Sequence, residues 1–284
     1  MIKITIKYQK EKLMKPVCSV KLALVIAVAG FLQYNAMASL TTVDLLSDSS
    51  FAVLAGSGIT VAGAVNSTTI TGDIGTFPTT TITGLQNVVL NGVNHAGDAV
   101  TQQAKNDLVI AYGDASGRAA TTTYAPIFDL GGLTLGSGVY KDSSSFGVTG
   151  TLTLDANNDP NAVFIFQAGS TLTTASSSKV VLINGAQACH VFWQVGSSAT
   201  IGTSSDFEGN ILALTDITVT TSATVDGRLL AQNGAVTLNT DTITKSVCIE
   251  TVVSGVPDAG STLLLLGSGL AGLFAFKRRF TCLA

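Results

Sequence analysis

Asp206 and Glu208 stand two residues apart in the stretch SSDFEG. Paired carboxylates can act as general acid and base on a glycosidic bond. Their setting among Ser and Gly fits a solvated loop better, because such charges ordinarily lie on surfaces. The chain has two histidines, His95 and His190, and neither has an evident Ser or Cys partner of the nucleophile–base kind. Of its four cysteines, Cys18 and Cys282 fall in the end segments, leaving Cys189 and Cys248. A structural zinc needs about four ligands. These His and Cys residues give no ligand spacing, so no metal and no cofactor is expected. Without convergent acids, a based nucleophile or a metal cluster, the chain is not expected to be an enzyme.

What must position these residues is an unusual chain. Only 12% of its 284 residues are charged, where roughly 25% is ordinary. The net charge of −3 and the lack of a basic stripe exclude nucleic acid as a partner. The 46% hydrophobic content is too high for disorder, but part of it belongs to the two ends. At the N-terminus, Lys3, Lys7, Lys10, Lys12, Lys15 and Lys21 precede an apolar run at 22–32 and the triplet Ala36-Met37-Ala38. That is a secretory signal peptide over 1–38, cut after Ala38; an uncleaved anchor is the rival reading. At the C-terminus, Val256-Pro257-Asp258 precedes an apolar stretch at 263–276 and Lys277-Arg278-Arg279. This ordered set resembles the PEP-CTERM type of bacterial sorting tag, in a Val-Pro-Asp variant. The resemblance implies a tail (257–284) held in the inner membrane and cut by an exosortase-type membrane protease. A permanent tail anchor is the alternative. Either way the domain at 39–248, followed by a linker at 249–256, is secreted or displayed at the cell surface. In that compartment Cys189 and Cys248 are natural disulfide partners.

The second half of the domain repeats. Units beginning VFIFQAGSTLTT, VFWQVGSSATIG, ILALTDITVT and LLAQNGAVTLN each open on an apolar strand, turn, and continue as an alternating Thr/aliphatic strand. A period of about 18 to 20 residues with three short strands describes one turn of a solenoid of triangular section. Alternation sends Leu172, Ile201, Val219 and Leu238 inward. It sends Thr171, Thr173, Thr200, Thr218, Thr220 and Thr237 outward or to corners. Residues 95–120 break the β pattern. Ala96, Val100, Ala104, Leu108, Ala111 and Ala115 recur at three- and four-residue steps, which predicts an amphipathic helix lying along one face. Cys189 and Cys248 are about three such repeats apart, too far for a bridge. They meet only if residues 246–248 fold back or the coils stack out of order.

The segments SSFAVLAGSGIT, TTITGDIGTFP, HAGDAVTQQAKNDLVIAYGDASGR, DLGGLTLGSGVY, DPNAVFIFQAGSTLTTASSSKVVLINGAQACHVFWQVGSSATIG, GNILALTDITV and NGAVTLNTDTIT, in that order, resemble the microbial ice-binding protein family from about Ser49 to Thr244. The resemblance implies an all-β solenoid: a three-faced, right-handed β-helix with one long α-helix packed alongside and coils stacked out of chain order. It implies an ice crystal surface as partner and a flat face as the site. The family often carries Thr-(Ala/Gly)-x-(Thr/Asn) at a strand edge. Thr174-Ala175-Ser176-Ser177 matches its first half, and Thr221-Ser222-Ala223-Thr224 matches its ends. Thr203-Ser204-Ser205-Asp206 and Thr240-Asp241-Thr242-Ile243 keep only the first Thr. The expected ice-binding residues are therefore Thr174, Ser176, Ser177, Thr203, Ser205, Thr221, Ala223, Thr224, Thr240 and Thr242. Asp206 and Asp241 are expected to interrupt the flat uncharged face. A monomeric domain is expected. The competing function is a cell-surface or matrix adhesion module without ice activity.

Overall fold

The computed structural model describes residues 40–249. The expected signal peptide, the linker beyond Ile249 and the sorting tag with Val256, Pro257 and Asp258 lie outside them. Three parallel sheets of eight strands each form the walls of a triangular solenoid. Each coil gives one strand to each sheet, as the three-strand repeat predicts. Sheet 1 includes Phe51–Ala55, Phe164–Ala168, Val191–Val195, Asn210–Ala213 and Leu229–Ala231. Sheet 2 includes Gly58–Ala62, Leu172–Thr174, Ala199–Ile201, Ile217–Val219 and Ala235–Asn239. Sheet 3 includes Thr68–Thr71, Lys179–Ile183, Asp206–Glu208, Thr224–Asp226 and Thr242–Thr244.

The alternation read from the sequence holds. Leu172, Ile201, Val219 and Leu238 all point into the core and are buried. The interior also holds a run of rings: Tyr140 on Phe166, Phe166 on Trp193, and Trp193 against Phe207. Trp193 lies flat on Phe166 with ring centroids 4.0 Å apart, and its indole N–H donates to the Glu208 carbonyl at 3.0 Å. A buried indole needs such a partner.

The coils do not stack in chain order. Strand Phe51–Ala55 pairs with Leu229–Ala231 from the far end of the chain and with Asp73–Thr76 on its other side. The first two coils therefore sit beyond the last one, and the third coil forms the opposite end of the stack. The chain must travel the length of the stack between its second and third coils. The helix α1, Ala99–Gly117, makes that crossing. Its 19 residues span about 28 Å at 1.5 Å per residue. Eight strands at the usual spacing span about 34 Å, so short flanking segments complete the distance.

α1 begins at Asp98, whose carboxylate accepts from the Thr101 N–H at 2.9 Å and so satisfies one of the orphan donors of the first turn. It buries Ala104, Leu108, Ala111 and Ala115 against Phe51, Leu54, Val139, Ile165, Phe192, Leu212 and Leu230 on the outer face of sheet 1. This is why the strands of sheet 1 are apolar at nearly every position: both faces are covered. The expected stripe holds from Ala104 onward. Ala96 precedes the helix, Val100 is 45% exposed, and Thr101 takes the buried place in the first turn. Lys105 also turns inward, and its ammonium donates to the carbonyls of Ala231 and Gln232.

Cys189 and Cys248 are joined, with Cα atoms 5.5 Å apart. Reordering of the coils does not bring them together, because the coil of Val191–Val195 and that of Leu229–Ala231 still have Asn210–Ala213 between them. The tail does. After Thr242–Thr244 the chain turns down the edge between sheets 3 and 1. There Ser246 meets Asn210 and Arg228, Cys248 reaches Cys189, and Ile249 bonds Gln187.

Candidate functional site

Sheet 2 carries one row of threonines on its outer side, with Thr60, Thr83 and Thr173 exposed and Thr200, Thr218 and Thr237 half-buried. In register across adjacent strands, Thr83 faces Thr60, Thr60 faces Thr237, Thr237 faces Thr218, Thr218 faces Thr200, and Thr200 faces Thr173. The row continues through Gly147 to Asp129 at the end of the stack. At one strand spacing per step, the six threonines run about 24 Å. Inward neighbours such as Leu172, Ile201, Val219 and Leu238 hold each strand down. Thr is β-branched and stiff at χ1, so hydroxyl and methyl repeat along the row with little freedom to lose.

Small residues flank the row. Gly202 stands between Ala175 and Thr220 on one side; a Cβ there would collide with the Ala175 carbonyl. On the other side stand Thr171, Ser198 and Ala235. The carboxylate here, Asp216, is tied to the Ala235 N–H at 2.8 Å. Among the described residues no lysine or arginine lies on the strands of sheet 2.

The residues expected from the family motif lie at the corner after sheet 2 and on sheet 3. Ser176, Ser177, Thr203 and Thr221 are exposed at that corner, while Thr224 and Thr242 are exposed and paired on the outer face of sheet 3. Thr240 is half-buried. Ser177, Ser204, Ser222 and Thr240 take left-handed backbone at φ 59°, 55°, 62° and 61°, which turns the chain through the corner. Thr174, Ser205 and Ala223 are buried and are not surface residues. Thr174 occupies an inward position opposite Val148, and its hydroxyl accepts from the Gly202 N–H at 2.8 Å. Ser205 donates to the Ala175 carbonyl and accepts from Ser178. These hydroxyls hold the corner together from inside.

The two expected interruptions fall elsewhere. Asp241 is buried and accepts from the N–H groups of Ala223 at 3.0 Å and Asn239 at 2.6 Å. Burial outweighs those bonds and raises its pKa to about 6. Asp206 lies on sheet 3, where Lys179 pairs with it at 2.6 Å. Sheet 3 is the charged face. Glu208 stands opposite Asp226 across the strands, and burial followed by Asp226 and Asp206 raises its pKa to about 7. Asp206 and Glu208 do share a face, with Lys179 paired to Asp206 and Thr224 and Asp226 opposite the two carboxylates. Sequence reading placed Thr173, Thr200, Thr218 and Thr237 outward but missed the row they form, and it missed Thr60 and Thr83. The signal was a Thr two residues after the turn in each coil, blurred in the looser first half.

A solenoid wall of in-register threonines beside a helix-covered wall and a charged wall defines the class. The chain belongs to the Ice-binding-like family, whose pattern matches residues 53–244. A VPDSG-CTERM motif matches residues 255–280, where this chain reads Val256-Pro257-Asp258-Ala259-Gly260. An ice-binding protein of Nostoc sp. (strain HG1) is 44% identical over 92% of this chain and 96% of its own length. Two crystal structures share the fold. One, an ice-binding protein of the Antarctic ascomycete Antarctomyces psychrotrophicus, is 43% identical, with a TM-score of 0.70 over 73% of this chain and all of its own. The other, an ice binding protein from an Antarctic biological consortium, is 45% identical, also with a TM-score of 0.70, over 74% of this chain and 93% of its own.

Proposed function

We propose that this chain is an exported protein that adsorbs to ice through sheet 2, and so slows ice growth or recrystallisation. The observation that carries the reading is the row Thr83, Thr60, Thr237, Thr218, Thr200 and Thr173 on a face without lysine or arginine. Ice is a lattice of neutral molecules with no single site to grip. A surface that binds it must offer many weak contacts at a fixed repeat. Each Thr hydroxyl can hold a water, and each methyl leaves that water to order with its neighbours. Because strands and χ1 angles are already fixed, little freedom is lost on binding.

Ser176, Ser177, Thr203, Thr221 and the partly covered Thr240 form the rim of this face, and Thr224 and Thr242 lie around the corner from it. In this reading the rim extends contact and the row supplies the core of it. The domain acts as a monomer, since one face of one solenoid suffices. The leader at 1–38 is removed, and the tail at 257–284 holds the domain at the inner membrane until an exosortase-type protease cuts it. An adhesion module without ice activity is the weaker reading, because the relatives named above are ice-binding proteins.

The test is thermal hysteresis and ice-crystal shaping by residues 39–250, with Thr200→Tyr and Thr218→Tyr beside the parent. Faceted crystals with the parent and round ones with the tyrosine variants are expected. Round, unshaped crystals with the parent at high concentration would overturn the proposal.

A further inference from the structure

The chain's end is fastened to one edge of the solenoid. Ser246 accepts from Arg228 through both its hydroxyl and its carbonyl, each at 3.0 Å. Cys248 is bonded to Cys189. The Ile249 N–H donates to Gln187 Oε1 at 2.6 Å. All three partners lie on the edge between sheets 3 and 1. The beginning of the described chain comes to the same place: Thr42, Val43, Asp44 and Leu45 face Val247 and Cys248 across a cavity of about 500 Å³. In a triangular section this edge lies opposite sheet 2. Val247 and Ile249 are each 76% exposed here, an apolar pair at the point where the chain departs. Between Ile249 and the start of the matched sorting motif at residue 255 stand five residues, Glu250 to Ser254. The apolar stretch at 263–276 begins eight residues further on, so thirteen residues, Glu250 to Thr262, link this edge to it; a flexible link of that length has an r.m.s. reach of about 20 Å.

We propose that the edge between sheets 3 and 1 faces the lipid surface while the tail is held there, and that sheet 2 is thereby presented on the far side. The proposal rests on the reading of the tail as membrane-held. It gives the staple a role in addressing: a tether fixed at one edge biases that edge towards the lipid. The threonine row then looks outward without any contact of its own. Val247 and Ile249 rest at the headgroup boundary, where exposed apolar side chains gain by leaving water.

The test uses residues 39–284, without the leader and with the tail uncut, in phosphatidylcholine vesicles and, for reference, in detergent. Cys282→Ser removes the other free thiol. Thr42→Cys marks the edge and Thr173→Cys marks sheet 2. Each is reacted with a polymer-linked maleimide too bulky to slip beneath the domain. In vesicles, the Thr42→Cys chain is expected to label several-fold more slowly than in detergent, and the Thr173→Cys chain at an unchanged rate. Equal rates at both sites, or protection of Thr173→Cys, overturn the proposal. A chain that fails to float with the vesicles overturns it through its premise, and is recognised by that failure. Since no step involves ice, a failure of ice adsorption leaves these rates untouched.

Discussion

Thr200 and Thr218 occupy directly opposed positions on adjacent parallel strands within the threonine row. A bulky ring at either place stands above the plane of its neighbours and breaks contact over several coils at once. Thr200→Tyr or Thr218→Tyr should abolish ice-crystal shaping while leaving thermal stability within about 0.5 kcal/mol, as surface changes usually do. Thr242→Tyr on sheet 3 should leave shaping intact, and Thr221→Tyr at the rim should weaken it. Hysteresis measured on the four variants at equal concentration orders these effects. Loss with Thr242→Tyr and retention with Thr200→Tyr would move the site to sheet 3.

Leu108 is the large side chain that α1 drives into the outer face of sheet 1, beside the small Ala104, Ala111 and Ala115. Leu108→Ala should cost about 2–5 kcal/mol, because the rigid sheet beneath cannot collapse into the gap. Urea unfolding read by circular dichroism measures it. Ice activity at low temperature should persist in the folded fraction, since sheet 2 is not touched by the helix.

Asp48 is fully buried with neither carboxyl oxygen hydrogen-bonded. Burial and then the nearby Asp107 raise its pKa from 3.8 to about 8, against the pull of Lys105 and Arg228. Between those values the group is protonated when folded and ionised when unfolded. Unfolding therefore releases a proton, and stability falls as pH rises from 3.8 towards 8. Glu208 (4.5 to about 7) and Asp241 (3.8 to about 6) act in the same direction over narrower windows. The domain should be most resistant to urea on the acid side, near pH 4, and lose resistance steadily towards pH 8. Asp48→Asn should flatten much of that slope and be more stable than the parent at pH 8. An unchanged slope would show that Asp48 is not the group responsible.

The staple at the chain's end has two parts that can be removed separately. Replacing both cysteines, Cys189→Ser with Cys248→Ser, opens a crosslink between residues 59 apart and should cost about 2–4 kcal/mol. Arg228 donates to Asn210, the Ser49 carbonyl and Ser246. Arg228→Ala strips partners from several buried acceptors and should cost about 3 kcal/mol or more. Because Ser246 links the two parts, the double-mutant cycle should show coupling rather than simple addition. Thermal unfolding of the three variants provides it.

Much of this was legible in the sequence, for identifiable reasons. A two-residue alternation of Thr with aliphatics, repeated at fixed period, leaves a strand only one way to face. Hence Leu172, Ile201, Val219 and Leu238 were placed inward from sequence alone. The helix was legible because Ala104, Leu108, Ala111 and Ala115 keep helical spacing. Its first turn was not, because Thr101 is polar and buried while Val100 is apolar and exposed, the reverse of the usual rule. The corner hydroxyls misled for a similar reason. Ser205 and Thr174 are chemically fit for a surface, and only the packed coil shows that their bonds run inward. Register between strands is a three-dimensional fact, so the row from Thr83 to Thr173 could not be assembled from spacing within single coils. The unpaired Asp48 and the clamp around Arg228 join residues from opposite ends of the chain, which no local pattern reports.

The docking of Phe51–Ala55 onto Leu229–Ala231 also bears on how the molecule comes into being. Pairing between such distant segments is slow, since a long loop must close before any contact rewards it. As the chain emerges, its first two coils can pair with each other but have nothing to dock on. The coils that follow α1 assemble one upon the next and reach their final edge only when Leu229–Ala231 is made. The stack therefore closes only in a chain translated through to its last coil. A product that ends before Leu229 leaves Phe51–Ala55 with a bare edge, open to association with other unfinished chains.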